Sequence, residues 1–145
     1  MPNVISVAQK RTVFDLHFAV WQFVRIMVYL EERLKHKKQS KQPSTSKQMQ
    51  DLYQAWEDVW VDLDAKLLDF GRHDKAQFAW LMMEQEVVIS DCNPPIRDLA
   101  CKLIEGVVAE INQELTKTED REQTEDLSFE RDALTLLCHD FRALK

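Results

Sequence analysis

Glycine and proline are scarce in this chain of 145 residues, which contains two glycines and four prolines. These residues supply most of the tight turns that a many-stranded sheet requires. Their scarcity argues against an all-β fold and favours helices. Hydrophobic residues make up 45% and charged residues 30% of the chain, which is ordinary for a globular protein. We expect a single helical domain over residues 1–145, long enough to bury a real core.

Cysteine is also scarce, and the three residues Cys92, Cys101 and Cys138 do not form a disulfide framework. An odd count without such spacing is typical of reduced thiols inside the cell. The first residues, MPNVISVAQKR, contain no apolar segment of the kind that a secretory signal requires. We therefore expect a cytoplasmic protein.

The common catalytic motifs are missing: there is no glycine-rich phosphate loop, no nucleophile elbow and no Cys-x-x-Cys. The Glu-x-x-His pairs of di-iron bundles are also absent. Glu32 and His36 have i, i+4 spacing, but a zinc site needs three or four ligands. Cys138 and His139 are adjacent, so their side chains would point about 100° apart on a helix. We expect no enzymatic activity, no cofactor and no metal.

The densest apolar stretch, residues 13–34 (VFDLHFAVWQFVRIMVYLEERL), predicts a long central helix over about residues 7–37. Its apolar arc is roughly twice that of a surface helix, so neighbours in the bundle or in a homo-oligomer should cover it. Asp15, Gln22 and Arg25 interrupt it too often for a membrane span. His17 falls within the apolar arc. It is interpreted as a buried or half-buried histidine, with a pH-sensitive or ligand-contacting group as the alternative.

Four further segments show helical spacing of apolar residues, at about residues 47–70, 75–89, 94–115 and 127–144. Asp74 and Asn93 are predicted N-caps, and Gly71 is predicted to end the second helix. A mobile loop is expected at about residues 38–47 and a polar connection at about 116–126. The fold class is therefore all-α, a four- to five-helix bundle that is mainly antiparallel.

Charge is divided unevenly along the chain. Residues 1–50 carry nine Lys and Arg against three Asp and Glu, whereas residues 51–145 carry ten against twenty-two. Such a division indicates either separate partner-facing surfaces or internal pairing of the basic and acidic parts. One candidate surface is an acidic strip about 40° wide on the second helix, formed by Asp51, Asp58, Asp62 and Asp69. It is either a solubilising surface or a docking surface for a basic partner.

The second candidate surface is a basic cluster at the end of the first helix and in the following loop, within residues 33–47, formed by Arg33, Lys35, Lys37, Lys38 and Lys41. It could contact nucleic-acid phosphates, an acidic protein or a membrane surface, or be a solvated helix end. We interpret the chain as a non-enzymatic protein-binding module of the adaptor, inhibitor, immunity, antitoxin or chaperone type. The alternative is an accessory subunit of a nucleic-acid complex.

Overall fold

The computed structural model describes residues 13–36 and 43–144. Within these ranges 83% of the residues are helical, which confirms the all-α helical bundle. The described elements, in chain order, are β1 Phe14–Ala19, α1 Val20–His36, α2 Pro43–His73, α3 Lys75–Glu84, β2 Glu86–Cys92, α4 Pro94–Lys117 and α5 Arg121–Ala143.

The two strands form a small antiparallel sheet, with Leu16 opposite Ile89 and His17 opposite Val88. Side chains on β1 alternate between buried and exposed positions, so Leu16 is fully buried while His17 faces solvent. The prediction that residues 13–19 are helical is therefore wrong. The segment has the two-residue period of a half-buried strand, and its partner strand lies about seventy residues away along the chain.

The same sheet corrects the predicted end of the third helix. α3 ends at Glu84, and Val87, Val88 and Ile89 belong to β2. Two of these three residues alternate into the core, and β-branched side chains suit a pleated strand. Near its end β2 carries one extra residue relative to β1, a β-bulge at which Asp91 adopts φ 59°. The Asp91 N–H donates to Asp15 Oδ1 at 3.3 Å.

The core is centred on α1, where the side chains of Phe23, Ile26, Met27 and Leu30 are fully buried. Phe18 at the end of β1 contacts three aromatic rings edge-on, those of Phe23, Trp56 and Phe141, at centroid distances of 5.5, 5.7 and 5.2 Å. The first helix is thus central, as predicted, although it begins later. The strand that precedes it ties α2 and α5 to the same cluster.

Two predicted helix caps are present. Asp74 Oδ1 accepts a hydrogen bond from the Gln77 N–H at 3.1 Å, and Asn93 Oδ1 accepts one from the Ile96 N–H at 2.9 Å. Each satisfies a backbone donor that the first helical turn leaves free. Gly71 does not end α2, which continues to His73.

The two predicted connections differ in detail from the described chain. Residues 43–47 of the predicted mobile loop belong to α2, and residues 37–42 lie outside the described ranges. The polar connection is short, because α5 begins at Arg121. Over the described ranges, no helix has the length and apolarity that crossing a membrane requires.

Candidate functional site: the acidic face of α2

The position of α2 is fixed by one side of the helix, which is buried along its length. Leu52, Trp56, Trp60, Leu63 and Leu67 are each at most 8% exposed. The ring of Trp56 contacts those of Phe18 and Phe23 in the central aromatic cluster. Because a helix so anchored cannot rotate, its opposite side faces solvent as a fixed surface.

That opposite side carries the four aspartates that the helical spacing grouped together. Asp51, Asp58, Asp62 and Asp69 are all exposed, and we call them the acidic face. At 1.5 Å per residue they extend over about 27 Å of the helix. Lys66 Nζ lies 3.1 Å from Asp62 Oδ2, and His73 Nε2 lies 3.9 Å from Asp69 Oδ1. Exposed pairs of this kind are weak, so they leave the acidic face available to a partner.

An exposed apolar pair lies beside the acidic face. Val61 and Leu68 are 58% and 54% exposed, and their i, i+7 spacing places them two turns apart on one side of α2. Two further exposed acids, Glu57 and Asp64, lie on the far side of this pair. Sequence reasoning missed Val61 and Leu68, although a helical projection centred on the buried residues places both outside the core stripe.

A cleft of about 350 Å³ extends the acidic face toward α4. Its floor is apolar and includes Leu52 and Leu99, and its rim includes Asp51, Asp98 and Lys102. With two carboxylates and one ammonium, the rim has a net negative charge, like the acidic face. The cleft therefore lengthens the surface on which a basic segment could lie.

The basic cluster is described only in part. The Arg33 guanidinium lies 4.9 Å from the centre of the Tyr29 ring, and its Nε donates to the Tyr29 hydroxyl at 2.9 Å. Lys35 is exposed. Lys37, Lys38 and Lys41 lie outside the described residues. The guanidinium of Arg33 is thus held against its own helix.

Among the described Lys and Arg residues of the basic part, Arg25 pairs with the acidic part, at a place away from the acidic face. Arg25 Nη2 lies 3.0 Å from Glu130 Oε1, which joins α1 to α5. A polar contact joins α1 and α2, where the Tyr53 hydroxyl donates to Glu31 Oε2 at 3.0 Å. Burial and this carboxylate raise the pKa of Tyr53. In the described ranges, the four aspartates make no ion pair with α1.

His17 does not lie in the core. It projects from the outer face of the sheet with 56% of its side chain exposed, and its Nδ1 lies 2.9 Å from Glu86 Oε1. The interpretation of His17 as a buried or half-buried residue is wrong, because it depended on a helix where a strand is found. The histidine and its carboxylate partner form a solvent-facing pair.

The cysteines are buried free thiols. Cys101 and Cys138 face each other across α4 and α5, and the Cys101 thiol donates to the Cys138 carbonyl at 3.7 Å. Burial, together with the Cys138 thiol, raises the pKa of Cys101 to about 12. A thiol with such a pKa is a poor nucleophile near neutral pH. Over residues 13–36 and 43–144, no three His, Cys, Asp or Glu side chains are grouped so that they could hold a metal ion.

No protein-family model, curated protein or solved structure matches this chain.

Proposed function

We propose that this protein is a non-enzymatic, intracellular binding module that docks a basic segment of another protein on the acidic face of α2. The observation that carries the proposal is the exposed pair Val61 and Leu68, which lies between two rows of carboxylates. Three free, buried thiols support the intracellular part. The module would act in the manner of an adaptor, an inhibitor, an immunity protein or antitoxin, or a chaperone.

The chemistry of the surface specifies the partner. Carboxylates attract Lys and Arg over a long range and accelerate association, but they do so without fixing the position of the partner. Apolar side chains that leave water on binding supply the short-range part. A helix with apolar residues seven positions apart, flanked by Lys and Arg, matches both parts of this surface. We therefore assign a basic amphipathic helix as the occupant.

Solubility alone does not explain the residues on the exposed side of α2. The helix carries six acidic residues against three Lys and Arg. A face that serves solubility alone gains nothing from placing a valine and a leucine at more than half exposure between those acids. Single exposed apolar residues are common on protein surfaces, whereas an aligned pair inside an acidic surface has the layout of an interface with a polar rim.

Site-specific photo-crosslinking in the native lysate tests the proposal. A photoreactive residue replaces Leu68 in one variant and Leu136 in the control, which is 60% exposed on α5. We expect position 68 to capture a Lys- and Arg-rich helical segment, identified by mass spectrometry, and position 136 to capture none of it. The double reversal Asp58→Lys/Asp62→Lys should remove the product. Equal products at both positions, or a product that survives the reversal, would contradict the proposal.

A binding measurement then separates charge from apolar contact. The crosslinked segment is made as a synthetic peptide and titrated against the purified full chain. Val61→Ser/Leu68→Ser should weaken binding about tenfold or more, since two apolar side chains lose their burial. Leu136→Ser is the matched control and should leave the affinity unchanged. An unchanged helical circular dichroism spectrum is the control that each variant remains folded.

The alternative, an accessory subunit of a nucleic-acid complex that uses the basic segment at residues 33–47, gives the opposite result. Its binding would fall steeply with salt because phosphate contacts release counterions. Lys35→Glu/Lys47→Glu would abolish it, while Asp58→Lys/Asp62→Lys would strengthen it. Retention of nucleic acid by the purified chain, lost on nuclease treatment, would replace the protein-docking proposal.

A further inference from the structure

A small notch between α1, α3 and α5 is lined by two aromatic rings, a thioether and two carboxylates. Trp21 comes from the start of α1, Met83 from the end of α3, and Asp126, Phe129 and Glu130 from α5. The notch has a volume of about 270 Å³. Phe129 and Met83 are 59% and 55% exposed, so its apolar walls are in contact with solvent.

The two rings are arranged so that one group can contact both. The ring centroids of Trp21 and Phe129 are 6.3 Å apart, and the ring planes are tilted by 37°. A cation is attracted to the face of an aromatic ring within about 6 Å of its centroid. A cation that lies over both faces of this tilted pair can be within that distance of both centroids. The polarisable sulfur of Met83 adds an apolar wall that suits alkyl groups.

The carboxylates give the notch a negative charge. Asp126 and Glu130 are one turn apart on α5, and both line the notch beside Phe129. Glu130 is already paired with Arg25, whose Nη2 and Nε lie 3.0 and 3.1 Å from its Oε1. In the part of the chain that the structure describes, Asp126 makes no such pair. Among the described residues, the notch thus holds one carboxylate without an ion-pair partner next to the aromatic walls, a combination that favours a cation.

We propose that this notch binds the ammonium group of a lysine side chain from a partner protein, and that a methylated ammonium fits it best. Methyl groups spread the charge over a larger apolar surface, which contacts the rings more closely than a hydrated ammonium does. The volume is below the roughly 300–1,000 Å³ of small-molecule sites and suits a single side chain. A second copy of this chain is disfavoured as the occupant, because apposed notches would bring their carboxylates together.

The proposal does not depend on the acidic face, since none of the five lining residues belongs to α2. The two can therefore fail separately. Asp58→Lys/Asp62→Lys, which should abolish docking on α2, is expected to leave the notch unchanged.

The test is an NMR titration of the ¹⁵N-labelled full chain with N-acetyl-trimethyllysine methyl ester, followed at the indole N–H of Trp21. Parallel titrations use the unmethylated lysine derivative and an uncharged isostere that carries a tert-butyl group in place of the trimethylammonium. We expect saturable millimolar binding of the trimethyl compound. The isostere should bind at least about fivefold more weakly, since the charge supplies the attraction. Equal binding of the isostere would overturn the proposal.

Matched variants on α5 locate the site. Phe129→Ala and Asp126→Asn should each weaken binding of the trimethyl compound about fivefold. Leu136→Ala and Asp140→Asn, at exposed positions of the same helix, should not. Trp80 is 51% exposed on α3 outside the notch, so an equal shift of its indole signal would mean unspecific binding and would overturn the proposal.

Two other occupants give distinct results. Choline carries the same trimethylammonium on a short alcohol, and tighter binding of choline than of the lysine derivative would indicate a free ligand instead of a protein side chain. Shifts of the Trp21 signal with protein concentration alone, abolished by Phe129→Ala, would indicate a second copy of the chain. Either result would overturn the assignment to a partner's lysine.

Discussion

The side chain of Tyr29 lies directly against the backbone of Gly106, so closely that a Cβ atom at position 106 would overlap with the tyrosine ring and hydroxyl. Tyr29 is 8% exposed, and its hydroxyl accepts a hydrogen bond from Arg33 Nε. The missing side chain of Gly106 therefore allows α1 and α4 to pack at this distance. One of the two glycines in the chain is required by this contact.

Gly106→Ala should destabilise the protein by about 1 kcal/mol. Overpacking a tight contact destabilises by roughly 1–3 kcal/mol. Replacing a helical glycine by alanine stabilises by up to about 1 kcal/mol, which offsets part of that loss. Urea unfolding measured by circular dichroism gives the net change. In a Tyr29→Ala background the clash is gone, so there the same substitution should be neutral or stabilising.

Gly71→Ala is the control for this prediction. Gly71 lies inside α2, and the nearest atom to an added Cβ is Phe78 Cδ2 at 3.6 Å, an ordinary contact. The substitution should therefore stabilise the chain by up to about 1 kcal/mol. If both glycine variants gained stability to the same extent, the close approach of Tyr29 to α4 would be disproved.

The helices α2, α4 and α5 and the start of α3 could be predicted from the sequence because their determinants are local. Apolar residues at i, i+3 and i+4 define the buried sides, and the side chains of Asp74 and Asn93 mark two helix starts. In each cap the side chain accepts a hydrogen bond from the backbone N–H three residues later. The spacing of four aspartates on α2 also identified the acidic strip, since it depends on helical geometry alone.

The sheet could not be predicted in the same way, because its stabilising contacts join distant parts of the chain. A five-residue alternation, FDLHF, precedes a long helical apolar run, and a helix template fits the combined stretch as well as a strand does. Pairing with residues 86–92 decides between them. The misplacement of His17 follows from this one ambiguity. The notch at Trp21 could not be predicted either, because its lining residues come from three helices that are distant in the sequence.

Substitutions in β1 test the alternation directly. Leu16→Ala should cost about 2–5 kcal/mol, because Leu16 is fully buried and truncation leaves a cavity. His17→Ala should change stability by about 0.5 kcal/mol or less, because the side chain is more than half exposed. Chemical denaturation of both variants gives the comparison. A helix would place His17 in the apolar arc, and a large cost for His17→Ala would therefore contradict the strand.

The free energy of unfolding should fall as pH rises from 8 to 10. Burial, followed by the nearby Asp15 and Asp91, raises the pKa of Cys92 to about 11, and burial raises that of Cys101 to about 12. In the unfolded chain a thiol loses its proton near pH 8.5. Above that pH the unfolded state binds fewer protons than the folded state, so stability declines by roughly 1.4 kcal/mol per pH unit for each thiol.

Urea titrations at several pH values under reducing conditions measure this decline. The variant Cys92→Ala/Cys101→Ala removes both thiols, and its stability should depend less steeply on pH over the same interval. Below pH 8 the two proteins should show parallel pH profiles. An identical slope in the variant between pH 8 and 10 would mean that these thiols titrate alike in the folded and unfolded chains.

The ion pair between Arg25 and Glu130 should stabilise the packing of α1 against α5 by about 1 kcal/mol. Two guanidinium nitrogens contact one carboxylate oxygen, at 3.0 and 3.1 Å, and both side chains are about two-thirds buried. Reduced solvent screening and charge-assisted hydrogen bonds make such a pair stronger than a surface one. A double-mutant cycle with Arg25→Ala and Glu130→Ala isolates the coupling energy.

The pair Arg121 and Glu125 within α5 is the matched control for this cycle. Its charged atoms are 3.2 Å apart, nearly the same distance, but the side chains are 93% and 67% exposed. Its coupling energy should be about 0.5 kcal/mol or less and should vanish in concentrated salt. The coupling of Arg25 with Glu130 should persist there, because neighbouring side chains exclude solvent and ions from the contact. Equal coupling energies for the two pairs would mean that burial contributes nothing to this link between the first and last helices.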